Sequence, residues 1–197
     1  SFWKWLTASH GFSDAQFKQY NYAMTPFLSD KTSVQQAYAT AEPLYLAADG
    51  VKTDVFLLAD QGWEAYSNLI EARRDMVENN PELIQKFINA SAVGWYQYLY
   101  GGDRKAAYAL IKKDNAEMTD EKLDMEVAKL QELQMVDSGD ALVKGIGALS
   151  AERLKRFNAE LVKAGVFGPG EVDLSALSTD RFANKGVGLD LRAKLKK

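Results

Sequence analysis

Residues 80–102, NPELIQKFINASAVGWYQYLYGG, constrain the fold of this chain more than any other stretch. Asn80 is a favoured helix cap. Pro81 is tolerated at the first helical position, where its missing amide would have no intrahelical acceptor. Leu83, Ile84, Phe87, Ile88, Ser91, Trp95 and Leu99 recur at spacings of three and four. That period predicts a long helix with this stripe buried, ended by Gly101-Gly102. So long an apolar stripe needs a partner layer, and the later sequence offers more helices. Asp103–Lys113 predicts one. Thr119 caps a second, with Leu123, Val127 and Leu130 on its inner side. Ser150 caps a third, with Leu154, Phe157 and Leu161 inside and Gly165 after it. Glycines and a proline mark the last thirty residues, which are expected to wrap the surface.

The first half is mixed. Ser1-Phe2-Trp3-Lys4-Trp5-Leu6 opens a helix over residues 2–9 with Phe2, Trp3 and Leu6 apolar, stopped by Gly11. Ser13-Asp14-Ala15-Gln16 has capping-box spacing and predicts a single turn. Lys18–Tyr22 alternates polar and aromatic residues, as strands do. Ser29-Asp30 predicts a helix to about Ala37. Residues 38–42 then extend, and a short helix runs from Pro43 to Gly50. Proline biases the residue before it towards extended geometry, so Glu42 is expected in an extended link. Val55-Phe56-Leu57-Leu58 is a short apolar run, suited to a strand buried on both faces. Asp60-Gln61-Gly62 breaks it, and residues 66–73 predict a second strand. The expected class is therefore α/β and helix-rich, with too few strands for a complete sheet. The chain is expected to be a processed or truncated piece of something longer.

Composition removes several functions. A formal net charge of −3 disfavours nucleic acid as partner, because phosphate binding needs a basic surface. The basic end, Arg192, Lys194, Lys196 and Lys197, is too short to reverse this and reads as a solvated tail. No cysteine is present, which excludes disulfides, thiolate metal sites and a cysteine nucleophile. A lone histidine, His10 beside the Gly11 stop, suits the carbonyl end of a helix better than catalysis. Gly145-Ile146-Gly147 is too short for a phosphate loop and reads as a turn. Asp114, Glu117, Asp120, Glu121, Asp124 and Glu126 lack the spacing and central glycine of a calcium loop and read as a solvated helix face. No catalytic residue, metal site or cofactor is expected.

Two features suit a small-molecule site. Glu42 sits among Ala39, Thr40, Ala41 and Pro43, where a carboxylate either caps the following helix or meets a ligand. Trp63 and Tyr66 lie in the break beside Gly62, where a loop presents rings to a ligand.

The stretch Lys31 to Pro43, KTSVQQAYATAEP, resembles a segment of solute-binding proteins of the NMT1/THI5-like family, which serve ABC importers for thiamine pyrimidines, sulfonates and nitrate. Further stretches resemble the same group in order along the whole chain. They are Val55–Gly62, Arg73-Arg74-Asp75 leading to Asn80-Pro81-Glu82-Leu83, Trp95–Gly101, Lys112–Thr119 and Arg181-Phe182-Ala183-Asn184-Lys185. The resemblance implies a periplasmic-binding-protein-like type II fold, two α/β lobes joined by crossing strands with ligand in the cleft. On it, residues 1–52 belong to the second lobe, 53–65 cross over, and 66–197 complete the first lobe and a terminal wrap. The remaining strands and a signal peptide would lie upstream of Ser1.

It further implies a non-enzymatic receptor, periplasmic or membrane-associated outside the cell. Its partners would be a small polar or heteroaromatic ligand, with a pyrimidine thiamine precursor as one candidate, and a membrane permease. Glu42 with Thr40 would accept hydrogen bonds from a ligand amine, Trp63 or Tyr66 would stack on it, and the helix start at Ser1 and Trp3 would offer amides. One alternative is the thiamine-pyrimidine biosynthetic enzyme of the family, whose cysteine-rich motif has no counterpart here. Another is a helical interaction module over residues 81–164.

Overall fold

The computed structural model describes residues 1–21 and 23–196. Eleven helices are found among them: α1 Phe2–His10, α2 Thr25–Ser29, α3 Glu42–Ala48, α4 Arg74–Asn79, α5 Pro81–Tyr100, α6 Lys105–Asp114, α7 Asp120–Glu132, α8 Ala141–Lys144, α9 Ala151–Lys163, α10 Leu174–Leu177 and α11 Leu189–Leu195. No strand forms among the described residues. The segments expected as strands, 55–58 and 66–73, form no ladder, and Leu58 starts a 3₁₀ turn instead. An apolar run becomes a strand only where neighbours take up its amides and carbonyls. Here Phe56 is left 75% exposed. Of the alternating stretch 18–22, residues 18–21 form no strand, and Tyr22 lies outside the described residues.

The chain divides into two compact units, one of residues 1–65 and 154–173, the other of 66–153 and 174–197. In the first, Trp5, Leu46 and Leu161 are buried. The buried residue of α1 is Trp5, outside the expected face of Phe2, Trp3 and Leu6. Its ring meets His10 at 4.6 Å and Trp63 at 5.3 Å, and Trp63 meets Phe157 of α9 edge-on at 4.8 Å. This aromatic stack joins α1 to α9. The helix expected over 29–37 is replaced by the shorter α2 and a turn. Asp30 accepts the Thr32 amide at 2.9 Å and its hydroxyl at 2.6 Å. Such local bonding offers aspartate an alternative to the helix. The same two bonds hold the Asp30 carboxyl below its ordinary pKa. Ser13 and Gln16 do form the capping box.

The second unit is built round α5, with α4, α7 and α11 against it. The inward face of α5 is Ala92, Tyr96 and Leu99; of the expected stripe Leu99 is buried, whereas Leu83, Phe87 and Trp95 are exposed. Apolar residues lie nearly all round this helix, so its period alone did not choose the face. Tertiary partners did. Tyr96, Leu99 and Ile146 form a core with Leu130, Leu189, Leu191 and Leu195 packed on it. The expected wrap after residue 167 is therefore corrected: α11 and the buried Phe182 belong to the core. The Gly145–Gly147 turn puts Ile146 inside, and its amide donates to the Tyr96 hydroxyl at 3.2 Å. The caps expected at Thr119 and Ser150 are present, accepting from Lys122 and Arg153 amides.

Gly188, just before α11, has φ +82°, and a Cβ there would lie 2.6 Å from the Tyr96 ring. The backbone thus lies against the Cδ2–Cε2 edge of the ring. Beside this contact, Asp137 is buried and accepts from the Tyr100 hydroxyl at 2.6 Å and Arg192 Nε at 2.7 Å. The Lys196 ammonium stands 3.7 Å away. Burial by itself would push the Asp137 carboxyl up, but the bonds from Tyr100 and Arg192, with the nearby charges, hold it below its ordinary 3.8. Burial first, then the bond to Asp137, pushes the Tyr100 hydroxyl well up. Helix α11 is thus fixed by a ring contact and an ionic tether.

Two predictions follow from this docking. Gly188→Ala should cost about 2–3 kcal/mol, combining a left-handed φ with a ring clash. Gly147→Ala, at φ +86° with open space around it, should cost only about 1 kcal/mol. Equal melting temperatures for the two variants would remove the role given to the ring contact. For Asp137, folding lowers the pKa, so its contribution is full above the unfolded value and is lost as pH falls through the folded one. Asp137→Asn should cost about 1–3 kcal/mol at pH 7. It should also flatten the fall in melting temperature below about pH 4, which a pH series on both proteins measures.

Candidate functional site

Glu42 begins α3, with Pro43 in the first turn. The expectation of an extended link is corrected: proline restricts the residue before it, but the first helical turn needs no amide from Pro43 itself. The turn leading in is closed by the Ala41 amide donating to the Tyr38 carbonyl at 2.9 Å. The Glu42 carboxylate folds back over this turn and accepts the Tyr38 amide at 2.8 Å. Its other oxygen lies 3.5 Å from the Tyr20 hydroxyl, a long donor contact. Glu42 and Thr40 are half-buried, while Tyr38 is exposed. The carboxylate therefore braces its own loop and lies near the Tyr20 hydroxyl. Tyr20 and Tyr38 were not singled out from the sequence. Tyr38 precedes Glu42 by four residues, which a loop-closing carboxylate makes meaningful only once the turn is known.

The other expected residues lie in separate neighbourhoods. Ser1 is the exposed residue preceding α1, and its carbonyl accepts the Trp5 amide. Trp3 donates its indole N–H to Asp14 at 2.8 Å, with Phe12 and Phe17 at 5.9 and 5.2 Å from its ring. Trp63 follows the 3₁₀ turn Leu58–Gln61, and its amide donates to the Leu58 carbonyl at 3.0 Å. Its half-buried ring belongs to the stack with Trp5 and Phe157. Tyr66 falls in the other unit. Its hydroxyl accepts the Ser150 amide at 2.9 Å, and the Arg153 guanidinium covers its ring at 4.2 Å. Each residue thus has a structural bond that any further role must share.

Chemically, the loop around Glu42 presents an acceptor-only carboxylate beside tyrosines, which suits a ligand bearing N–H groups and a flat apolar body. The acidic helix face is largely exposed, and two of its members are paired. Asp120 pairs with Lys112, and Asp124 accepts the Tyr108 hydroxyl at 2.7 Å. No group of His, Asp or Glu able to hold a metal ion occurs among the described residues. No helix among them is long and apolar enough to cross a membrane.

The loop-bracing role makes a prediction. Glu42→Ala frees the Tyr38 amide and should cost about 1 kcal/mol, whereas Glu42→Gln keeps an acceptor and should cost little. Chemical denaturation of both variants measures the difference.

Comparison with known proteins gives the following. A family described as NMT1/THI5 like matches residues 3–106. Over 159 residues the chain is 27% identical to the riboflavin-binding protein RibY of Chloroflexus aurantiacus (strain ATCC 29366 / DSM 635 / J-10-fl), covering 81% of this chain and 44% of that protein. The chain thus spans less than half the length of that relative. No solved structure matches it at a comparable level.

Proposed function

The chain belongs to the NMT1/THI5-like family, and on that premise we propose that it is part of a solute-binding receptor of an ABC importer, acting outside the cytoplasm without catalysis. Its ligand is a planar nitrogen heteroaromatic, of the pyrimidine or flavin kind. The similarity to a riboflavin-binding protein supports this class. Both candidates share a pyrimidine-type ring, and in the flavin that ring carries an N–H that a carboxylate can accept. The observation that carries the reading is the half-buried Glu42 carboxylate beside Tyr20 and Tyr38. In this reading Glu42 accepts a ligand N–H and Thr40 adds a polar contact from the same turn. Trp63, in the same unit, lends ring surface. The start of α1 at Ser1 and Trp3 offers amides to a polar substituent. The two-lobe α/β fold of such receptors, with residues 1–52 in one lobe and 66–197 completing the other across 53–65, is part of the same proposal. So are the membrane permease as partner and nucleic acid as no partner. Ligand contacts that favour one arrangement of two lobes would supply the transport signal.

The test is a thermal-shift and calorimetric series with riboflavin, an aminopyrimidine, a sulfonate and nitrate. A ligand at a hundred times its dissociation constant should add about 2.7 kcal/mol of stability. Riboflavin or the aminopyrimidine should saturate at lower concentration than the sulfonate or nitrate. Glu42→Gln should weaken the preferred ligand about ten- to a hundredfold, since a charge-assisted hydrogen bond contributes roughly 1.5–3 kcal/mol. Unchanged affinity in that variant would remove Glu42 from the site. A preference for nitrate or the sulfonate would overturn the ligand class.

A further inference from the structure

The second unit contains a pocket of about 620 Å³, open to solvent, between the end of α5, the loop after α7, and α11. That volume suits a small ligand. Among the described residues its wall carries three cations, Arg104, Arg192 and Lys196, against one carboxylate, Asp137. The local balance is thus about +2 in a chain whose formal charge is −3. Such concentration of one sign in a concavity attracts counter-charge.

The donors are only partly used. Arg104 gives its Nε and one Nη to the Tyr98 and Leu99 carbonyls, at the negative end of α5. Asp137 takes the Nε of Arg192 with both of its oxygens, and Arg192 also lines the cavity. The Lys196 ammonium lies 4.5 Å over the Tyr100 ring and is partly open to solvent. Asp137 itself is fully engaged by Tyr100 and Arg192. Leu142 and Leu195 add apolar wall.

We propose that this cavity binds the phosphate monoester of a small apolar or aromatic molecule, held by the Arg192 fork and the Lys196 ammonium. A phosphate monoester carries about −1.5 to −2 at pH 7, which matches the local excess. A guanidinium fork with an adjacent ammonium suits its oxygens. The apolar wall takes the organic part. The site is independent of the Glu42 loop and does not rest on the receptor function.

Calorimetry of the full chain with phenyl phosphate, inorganic phosphate, benzoate and phenol tests this. Phenyl phosphate should bind saturably, more tightly than the other three, and more weakly as sodium chloride rises, because the cations are partly solvated. Lys196→Gln should weaken it about tenfold. Arg192→Lys keeps a cation beside Asp137 but removes the fork, and should weaken it tenfold or more at an unchanged circular dichroism spectrum. No saturable binding of phenyl phosphate by the parent chain would overturn the proposal. So would unchanged affinity in both folded variants. Equal binding of benzoate or inorganic phosphate would refute the monoester class.

Discussion

The contact between the Tyr96 ring and the Gly188 backbone sets the architecture of the second unit. Tyr96 has no exposed surface, and a side-chain carbon at residue 188 would overlap its ring. A buried phenol also needs a partner for its hydroxyl, which the Ile146 amide supplies. One side chain thus ties together three chain segments: the middle of α5, the turn at Gly145–Gly147, and the start of α11. The Asp137 cluster acts beside it. A buried carboxylate is tolerable only when paired, and Arg192 of α11 and Tyr100 of α5 supply the pairing. Ring packing fixes how close α11 comes to α5, and the ionic tether holds its far end.

This arrangement also explains why one surface of the second unit is polar and concave. Arg192 must face inward to reach Asp137, and only one of its nitrogens is used there. Arg104 must turn towards the last carbonyls of α5, which have no helical partner. Two structural demands therefore bring positive charge to one wall. A site for an anion arises there from groups whose first task is to hold helices.

The first unit is organised by aromatic rings. Trp5, Trp63 and Phe157 join its N-terminal helix to α9, and Trp3 gathers Phe12 and Phe17 on another side. Against this packing, the Glu42 loop is held mainly by polar contacts, and its carboxylate spans a turn of five residues. Loops held by few bonds on a packed frame are where ligand recognition is usually carried.

Much of the helical content was legible in the sequence because its signals are local. Asn80-Pro81 and Gly101 bound α5, Thr119 and Ser150 mark the starts of α7 and α9, and Ser13 with Gln16 builds its capping box within four residues. The order of motifs along the chain likewise carried the family. The sequence did not decide which face of α5 is buried. Leu83, Phe87 and Trp95 have the same apolar character as Ala92 and Tyr96, and Gly188, Ile146 and α11, distant in sequence, break the tie. It could not place α11 in the core, since a short helix after a glycine-rich stretch has no local reason to be buried. Nor could it show that Glu42 starts a helix and braces Tyr38. Proline's bias on its neighbour is weak, and a carboxylate bond across the turn outweighs it. Propensity and capping act over one turn of chain, whereas burial and charge pairing depend on residues that meet only when the chain has folded.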